Sequence, residues 1–444
     1  MLTPLTEADH RLHRWLPSRR AKWVIAVLFT LSAAMQMVGV PFTSSFGTRT
    51  RIDLDVYRIG AQIWQEGQSL YADGSMPFTS DGIWLPFTYP PFAALGFVPL
   101  GAMPLAVAGI LMSVITTALV VVILRVVLSL LSVGAAGNRW WLALLIGTGA
   151  LWLNPVWMTL GFGQVNVILM AMIILDIFVV ARMRRSGAKV QGVLVGLASA
   201  IKLTPLVFIA VFMVARRWRA VAVSAITFVL AGALAWVWLP ADSLGYWTHT
   251  LFHTTRIGDP AGRINQNLNA MWVRILPGFA GQIAWVVSAL LVTALAAAAV
   301  YACRPARSFR QDADTGDRLN ALLATCAIAV WGLLVSPTSW AHHWVWSIPL
   351  ILTSLVIVAR ATSRATRIAH LLLAAVGVIL FALGPFQFLP KATDTWSIGE
   401  HIVGSSYSIW GLAALLVIWR LPFHPAPESS AESDDARPLA GSAA

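Results

Sequence analysis

Apolar runs begin near residues 23, 105, 141, 164, 219, 281, 320, 343, 367 and 406, each close to the length of a membrane-crossing helix. About 20 apolar residues at ~1.5 Å per residue cross the ~30 Å hydrocarbon core of a bilayer. In lipid, every backbone N–H and C=O must find its partner inside the protein, so such runs become helices packed against one another. Composition agrees, with 58% hydrophobic and 11% charged residues and a mean hydropathy of +0.74. The expected fold is an all-α polytopic membrane protein with about ten or eleven transmembrane helices plus re-entrant or interfacial segments.

The net charge of +12 would point to nucleic acid in a soluble protein. Here Lys and Arg sit in short loops between apolar runs, which is a topology signal, and no nucleic-acid partner is expected. The basic stretches are the N-terminus (Arg11, Arg14, Arg19, Arg20, Lys22), Arg139, Arg182 through Lys189, Arg216 through Arg219, Cys303 through Arg318, and Arg360 through Arg367. The positive-inside rule puts them in the cytoplasm. Segments 41–90, 153–164, 241–278, 335–343 and 385–405 then lie outside. No small-residue cleavage pattern follows the basic N-terminus, so the first run reads as a retained helix. The expected organisation is a cytoplasmic N-terminus (1–22), a multispan domain (23–424) with main outer loops 41–90, 241–278 and 385–405, and a disordered cytoplasmic tail (425–444). Cys303 and Cys326 have no spacing that predicts a disulfide or a metal site.

Two places break the regular pattern. Val190–Ile201 and Leu203–Ala215 flank Lys202-Leu-Thr-Pro205. They read either as two half-helices entering and leaving on one side or as one continuous span; both place Lys202 deep in the membrane region. Leu85-Pro-Phe-Thr-Tyr-Pro-Pro-Phe92 cannot continue a helix and predicts a re-entrant or interfacial turn.

Acids are scarce, 19 in 444 residues, and Glu428, Glu432, Asp434 and Asp435 fall in the tail. Asp53 and Asp55, just after the first run, are therefore conspicuous. Five of the nine histidines (His249, His253, His342, His343, His401) lie in the segments assigned outside, beside Gln164, Asn166, Asn265, Gln266 and Trp340. Amides, imidazoles and aromatic faces together suit a carbohydrate site, since sugar hydroxyls want polar partners and pyranose faces want rings. Each residue also has a structural reading. Asp53 can cap a helix, Asp55 can pair with an arginine, Gln164 and Asn166 can satisfy freed backbone, and the histidines can bond loop carbonyls. A lysine at membrane depth, by contrast, needs an anion.

Nucleotide sugars are cytoplasmic, so an outward site needs a donor already carried across, and a polyprenyl phosphate is the expected carrier. The absence of a phosphate-cradling Gly-rich loop or a dinucleotide-binding pattern agrees. In such chemistry Asp53 would take the acceptor proton, and Lys202, with His342, His343 or Arg256, would hold the departing phosphate. Asp-Leu-Asp is too short a pattern to predict a metal site, and no cofactor beyond the donor substrate is expected, with a divalent ion left open.

Asp53-Leu-Asp-Val-Tyr57 with Gly60-Ala61, the 85–92 segment with Tyr89, Gly163-Gln-Val-Asn166, Lys202-Leu-Thr-Pro205, Asn265-Gln-Asn267 and Ser336-Pro-Thr-Ser-Trp-Ala-His-His-Trp344 together resemble glycosyltransferase family 87. Members of that family are actinobacterial polyprenyl-phosphate-mannose-dependent mannosyltransferases of GT-C architecture. The resemblance implies an inverting α-(1→2)-mannosyltransferase at the outer face of the plasma (inner) membrane, with Asp53 the essential acid and Asp55 at a variable position. It implies sugar or acceptor contacts from Asp55, Tyr57, Tyr89, Gln164, Asn166, His249, His253, Asn265, Gln266 and Trp340. Residues 246–258 look most like the branch that acts on lipomannan and lipoarabinomannan, a mannan or lipoglycan acceptor. A phosphatidylinositol-mannoside enzyme and an arabinofuranosyltransferase of the same family are alternatives. A lipid-linked sugar transporter is an alternative of another class, which would also want a buried lysine and broken helices.

Overall fold

The structure, a computed structural model, describes residues 15, 17–42, 51–72, 74–182, 187–276, 278–305 and 313–423. The expected tail from 425, nearly all of the N-terminal segment before Arg19 and parts of the basic stretches near 182–189 and 303–318 lie outside these residues. Within them the chain is helical, and the one β-type pairing is an isolated bridge between Asn265 and Trp340.

All ten apolar runs are helical, but they do not all cross as single rods. Seven helices have the length and composition to span a bilayer: Arg19–Val38, Leu105–Leu130, Trp218–Trp238, Phe279–Cys303, Thr315–Val335, Ala341–Arg360 and Arg364–Phe388. Two further spans arise if the bent pairs Arg139–Ala150 with Asn154–Phe162 (81°) and Ile398–Gly404 with Ser406–Arg420 (66°) each count once. Among the described residues, length and composition alone give seven to nine spans, against the ten or eleven expected. The physical reason lies in local breakers. Pro155 opens the second half of the first pair, where a proline is welcome in a first turn but cannot lie inside a helix. The run near 164 becomes a short helix, Asn166–Ile174, that loosens into a π-turn over Leu175–Val179.

Lys202 marks a true interruption. Helix Val193–Ile201 ends there, Lys202 is extended (φ −147°, ψ 131°), and the chain resumes as a 3₁₀ turn, Thr204–Phe208, and a helix, Ile209–Val214. The 85–90 segment is irregular and ends at Pro91, the first residue of helix Pro91–Gly101.

Exposed apolar side chains such as Ile226, Val229, Leu230, Leu234, Leu290 and Leu291 stud the outsides of the spanning helices. That surface suits lipid, where burial against protein gives no hydrophobic advantage. Inside are two packed clusters. The larger joins the helices from Leu105 to Leu130 and from Thr315 to Val335 with the last three spans. The smaller gathers helix Ile52–Gln65, the 85–97 region and Ala198. Helix Asn166–Ile174 separates them: Leu169 belongs to the smaller cluster, Val167, Met170 and Ile174 to the larger. Its N-terminal end, with Gln164 and Asn166, therefore opens on the seam between the two.

Candidate active site

Helix Ile52–Gln65 carries both acids in its first turn, where a carboxylate is favoured by the helix dipole. Its start is pinned by Arg51, which takes the left-handed conformation (φ 46°, ψ 38°). The Arg51 N–H donates to Gly161 O (3.1 Å), and its guanidinium donates to Ala106 O (3.3 Å) and Met37 O (3.2 Å). Three separate helices thus fix where the first turn points.

Two residues apart on a helix means roughly 200° of rotation, and the acids face different surroundings. Asp55 is buried. Its Oδ1 accepts from Arg58 Nη1 (2.7 Å), and its Oδ2 accepts from Ser80 N and Ser80 Oγ (2.7 Å each). Both oxygens are occupied in tying the 79–83 loop to the helix, an internal clamp at the position where a sugar contact was expected. Asp53 is half-buried and faces the seam. Burial pushes its carboxyl up to about 6, while the side chain of Gln164 and the charge of Lys202 pull the other way.

Lys202 is the hub of the seam. Its Nζ donates to Asn166 Oδ1 (3.3 Å), lies 3.1 Å from His343 Nε2, and sits 5.5 Å above the Tyr89 ring. An ammonium has only donors to offer, so beside charged Lys202 the His343 Nε2 accepts and its Nδ1 carries the proton. Asn166 Nδ2 donates to His342 O (3.0 Å), as does Thr159 Oγ1 (3.2 Å). The His342 ring stands edge-on to Phe162 (5.5 Å) and His343 (4.6 Å). It is buried with neither ring nitrogen bonded among the described residues, an arrangement that costs free energy unless water or a ligand supplies the partner.

On the other flank, Tyr57 is fully buried, stacked on Phe97 (4.4 Å), and donates to Gln164 Oε1 (2.9 Å), with its oxygen 2.8 Å from the Tyr89 hydroxyl. Gly60 allows Phe87 to press on this helix, since a Cβ there would lie 2.4 Å from the Phe87 ring. Gly163 (φ +71°) turns the chain into Gln164, and a Cβ there would meet Leu54 Cβ at 2.6 Å.

The structure thus brings Asp53, Tyr57, Tyr89, Gln164, Asn166, Lys202, His342 and His343 into one cluster, and it places the other expected site residues elsewhere. Asn265 and Gln266 are fully buried and bonded to protein. Asn265 Oδ1 accepts from Ser339 N (2.9 Å), and its Nδ2 donates to Pro260 O (3.0 Å). Gln266 Nε2 donates to Gly404 O (2.7 Å), and its Oε1 accepts from Tyr407 N (3.3 Å). Their amides stitch loops together and have no surface left for a sugar. Arg256 donates to Phe87 O (2.6 Å) and lies 5.7 Å from the Tyr71 ring, bracing the 85–90 segment from outside the Lys202 cluster. His249 and His253 are exposed and stacked on each other (4.0 Å). Trp340 pairs through its backbone with Asn265 and packs over Gly258.

Sequence reasoning missed Arg51, Ser80 and Thr159, which position the cluster through backbone contacts that leave no periodic signature. One signal was available. Arg256, Arg263 and Arg274 lie in loops assigned outside, where basic residues are disfavoured. Each donates to main-chain carbonyls: Arg256 to Phe87 O, Arg263 to Leu389 O, and Arg274 to Ala261, Gly262, Asn265 and Gly404 O. Among the described residues no three His, Cys, Asp or Glu side chains form a metal-holding group.

Next to the polar cluster, a cavity is lined by Asn166, Ser339 and His343 together with apolar side chains such as Met170, Val207, Phe208, Leu333 and Trp346. It joins polar and apolar chemistry in one continuous space.

Comparison with known proteins agrees with the reading of these motifs. The family model described as glycosyltransferase family 87 matches residues 87–337. The chain is 35% identical over 412 residues to the polyprenol-phosphate-mannose-dependent α-(1-2)-phosphatidylinositol mannoside mannosyltransferase of Mycobacterium tuberculosis (strain ATCC 25618 / H37Rv), covering 90% of this chain and 92% of the relative. To the enzyme of the same description from Mycolicibacterium smegmatis it is 35% identical over 417 residues, 89% of each chain. A polyprenol-phosphate-mannose-dependent α-(1-2)-phosphatidylinositol pentamannoside mannosyltransferase of M. smegmatis is 32% identical over 353 residues, covering 79% of this chain and 77% of the relative. Among solved structures, ArnT from Cupriavidus metallidurans bound to undecaprenyl phosphate aligns over 89% of this chain and 77% of its own at 14% identity and a TM-score of 0.31, a likeness too slight to bear on the fold or the site.

Proposed function

The chain belongs to glycosyltransferase family 87, and from that premise we propose that it transfers mannose from polyprenyl-phosphate mannose to a phosphatidylinositol-mannoside type of acceptor, forming an α-(1→2) linkage at the outer face of the membrane. The observation that carries the reading is the position of Lys202, in electrostatic contact with Asp53 and within hydrogen-bond distance of His343. A base and a cation at two sides of one seam are what an inverting transfer from a sugar phosphate requires.

In the proposed step, ionised Asp53 takes the proton of the acceptor hydroxyl as that oxygen bonds to the mannose anomeric carbon. The bond from that carbon to the phosphate oxygen breaks, its electron pair stays on the phosphate, and Lys202 stabilises the charge. A carboxyl held near 6 suits this work, because it is mostly ionised at neutral pH yet a stronger base than an ordinary carboxylate. Asn166 and His343 fix the ammonium. The cavity beside them supports a donor with an apolar tail, since Asn166 and His343 of the cluster share its lining with aliphatic and aromatic side chains.

The relatives' names favour a phosphatidylinositol-mannoside acceptor over the lipomannan type that residues 246–258 suggested. The test is incubation of purified protein with polyprenyl-phosphate [¹⁴C]mannose and, separately, phosphatidylinositol mannosides or lipomannan, followed by linkage analysis. Label in an α-(1→2)-linked phosphatidylinositol mannoside is expected. Transfer to lipomannan alone would overturn the acceptor, and no transfer to any mannan would overturn the reaction.

A further inference from the structure

The cluster contains one group whose two ends are nearly identical in shape and opposite in chemistry, the Gln164 carboxamide. Facing Asp53, its NH₂ end supports a carboxylate, whereas its carbonyl end would confront the carboxylate with a second acceptor and favour a protonated acid. We propose that Tyr57 is a positioning residue that fixes this choice, its hydroxyl donating to Gln164 Oε1 so that the amide must present its NH₂ to the carboxylate of Asp53. The inference rests on the reading of Asp53 as the base.

The geometry gives the network a single direction. Tyr57 has one hydroxyl proton, and Gln164 Oε1 lies 2.9 Å away in line to accept it. The Tyr57 oxygen can then accept from the Tyr89 hydroxyl at 2.8 Å. The weaker approach of Tyr89 to Gln164 Oε1, at 3.5 Å, places a second donor at the same carbonyl. Donors therefore run from Tyr89 to Tyr57 to Gln164 and end at Asp53. Reversed, the chain would leave the Tyr89 proton without an acceptor in this network and turn Oε1 onto Asp53. Gln164 acts on Asp53 as a donor, holding its carboxyl below the level to which burial alone would push it. All three members are more than nine-tenths buried, so water cannot readily replace the missing bond. Tyr57 itself is held by packing, stacked on Phe97 and edge-on to Tyr89 (5.0 Å).

The charged and titratable groups around Asp53 come from three elements: Tyr57 on its own helix, Tyr89 on the 85–90 segment and Lys202 at the helix break, with His343 and His342 behind Lys202. Asp55 and Arg58 on the same helix are engaged with each other and with Ser80. Of these, Tyr57 makes the closer contact with the Gln164 carbonyl, 2.9 Å against 3.5 Å for Tyr89.

The test is the pH–rate profile of mannosyl transfer for Tyr57→Phe, which keeps the ring and its stacking and removes one hydroxyl. The acid limb is expected to move up by about one pH unit, the scale of one hydrogen bond to a carboxylate. Activity should recover above pH 8, with KM for polyprenyl-phosphate mannose within about twofold of wild type, as expected when ground-state donor contacts are intact. Gln164→Met removes both ends of the amide and should shift the limb in the same direction, and adding Tyr57→Phe to it should shift it no further. An unshifted acid limb in Tyr57→Phe, a loss equal at every pH, or additive shifts in the double variant would overturn the proposal. If Tyr57→Phe fails to accumulate as folded protein, Gln164→Met decides, since an unshifted limb there removes the amide from the account. Wild-type protein that transfers no mannose would instead refute the underlying reaction, so the two failures are distinguishable.

Discussion

Asp53 and Asp55 are chemically alike and two residues apart, yet their surroundings give them opposite energetics. Asp55 is saturated by Arg58 and Ser80, so Asp55→Ala breaks a mostly buried ion pair and is expected to cost about 3–5 kcal/mol, seen as a lowered thermal midpoint in detergent. Asp53 behaves differently. Burial raises its carboxyl to about 6, so between about pH 4 and 6 the folded chain holds more protons than the unfolded one, and stability falls as pH rises through that window. At pH 7 the ionised acid costs at most about 3 kcal/mol, two pH units at ~1.4 kcal/mol each. Asp53→Asn is therefore expected to match or exceed wild-type thermal stability at pH 7; a clear loss would show that Asp53 is structural. Transfer itself should decline below an apparent value near 6, as the base becomes protonated, and a profile flat down to pH 5 would speak against Asp53 as that base. The sequence showed that two acids were rare and close to a helix start. It could not rank them, because Ser80 reaches Asp55 from a loop 25 residues away with no pattern to announce it.

At the scale of elements, the breaks matter more than the spans. The two short apolar halves around Lys202 left a broken and a continuous helix open, and the structure shows the break; the prolines around Tyr89 announced an irregular segment, which is present. The amides of 265–267 were legible as a polar motif but not as a structural one, since nothing in the sequence tells whether an amide faces a cavity or another loop. The turn at Gly163 is a sharper case: its positive φ and the Leu54 contact at 2.6 Å leave no room for a side chain. Gly163→Ala is expected to cost about 1–3 kcal/mol from backbone strain and crowding and to reduce transfer by displacing Gln164. A variant with unchanged thermal midpoint and unchanged activity would show that the turn tolerates a Cβ.

Across the whole molecule, the class was the most legible feature, because the length rule of membranes acts on composition directly. The number of spans was less legible, since an apolar run near 20 residues reads the same whether it is straight or bent by 81° at Pro155. Sidedness is testable at exposed positions. A cysteine replacing Thr248 is expected to react with a membrane-impermeant maleimide in intact cells, and one replacing Arg364 only after lysis; the reverse would invert the topology on which an outward site depends. Arg256, Arg263 and Arg274, in the segments assigned outside, each donate to main-chain carbonyls and so have a structural task there. The central claim is that Asp53 and Lys202 perform the transfer across the seam between two cores. Its most direct test is the rate of mannosyl transfer from polyprenyl-phosphate mannose by Asp53→Asn protein of verified folding. The account predicts a loss of at least about 10²-fold, the usual contribution of a general base, and transfer at a wild-type rate would contradict it.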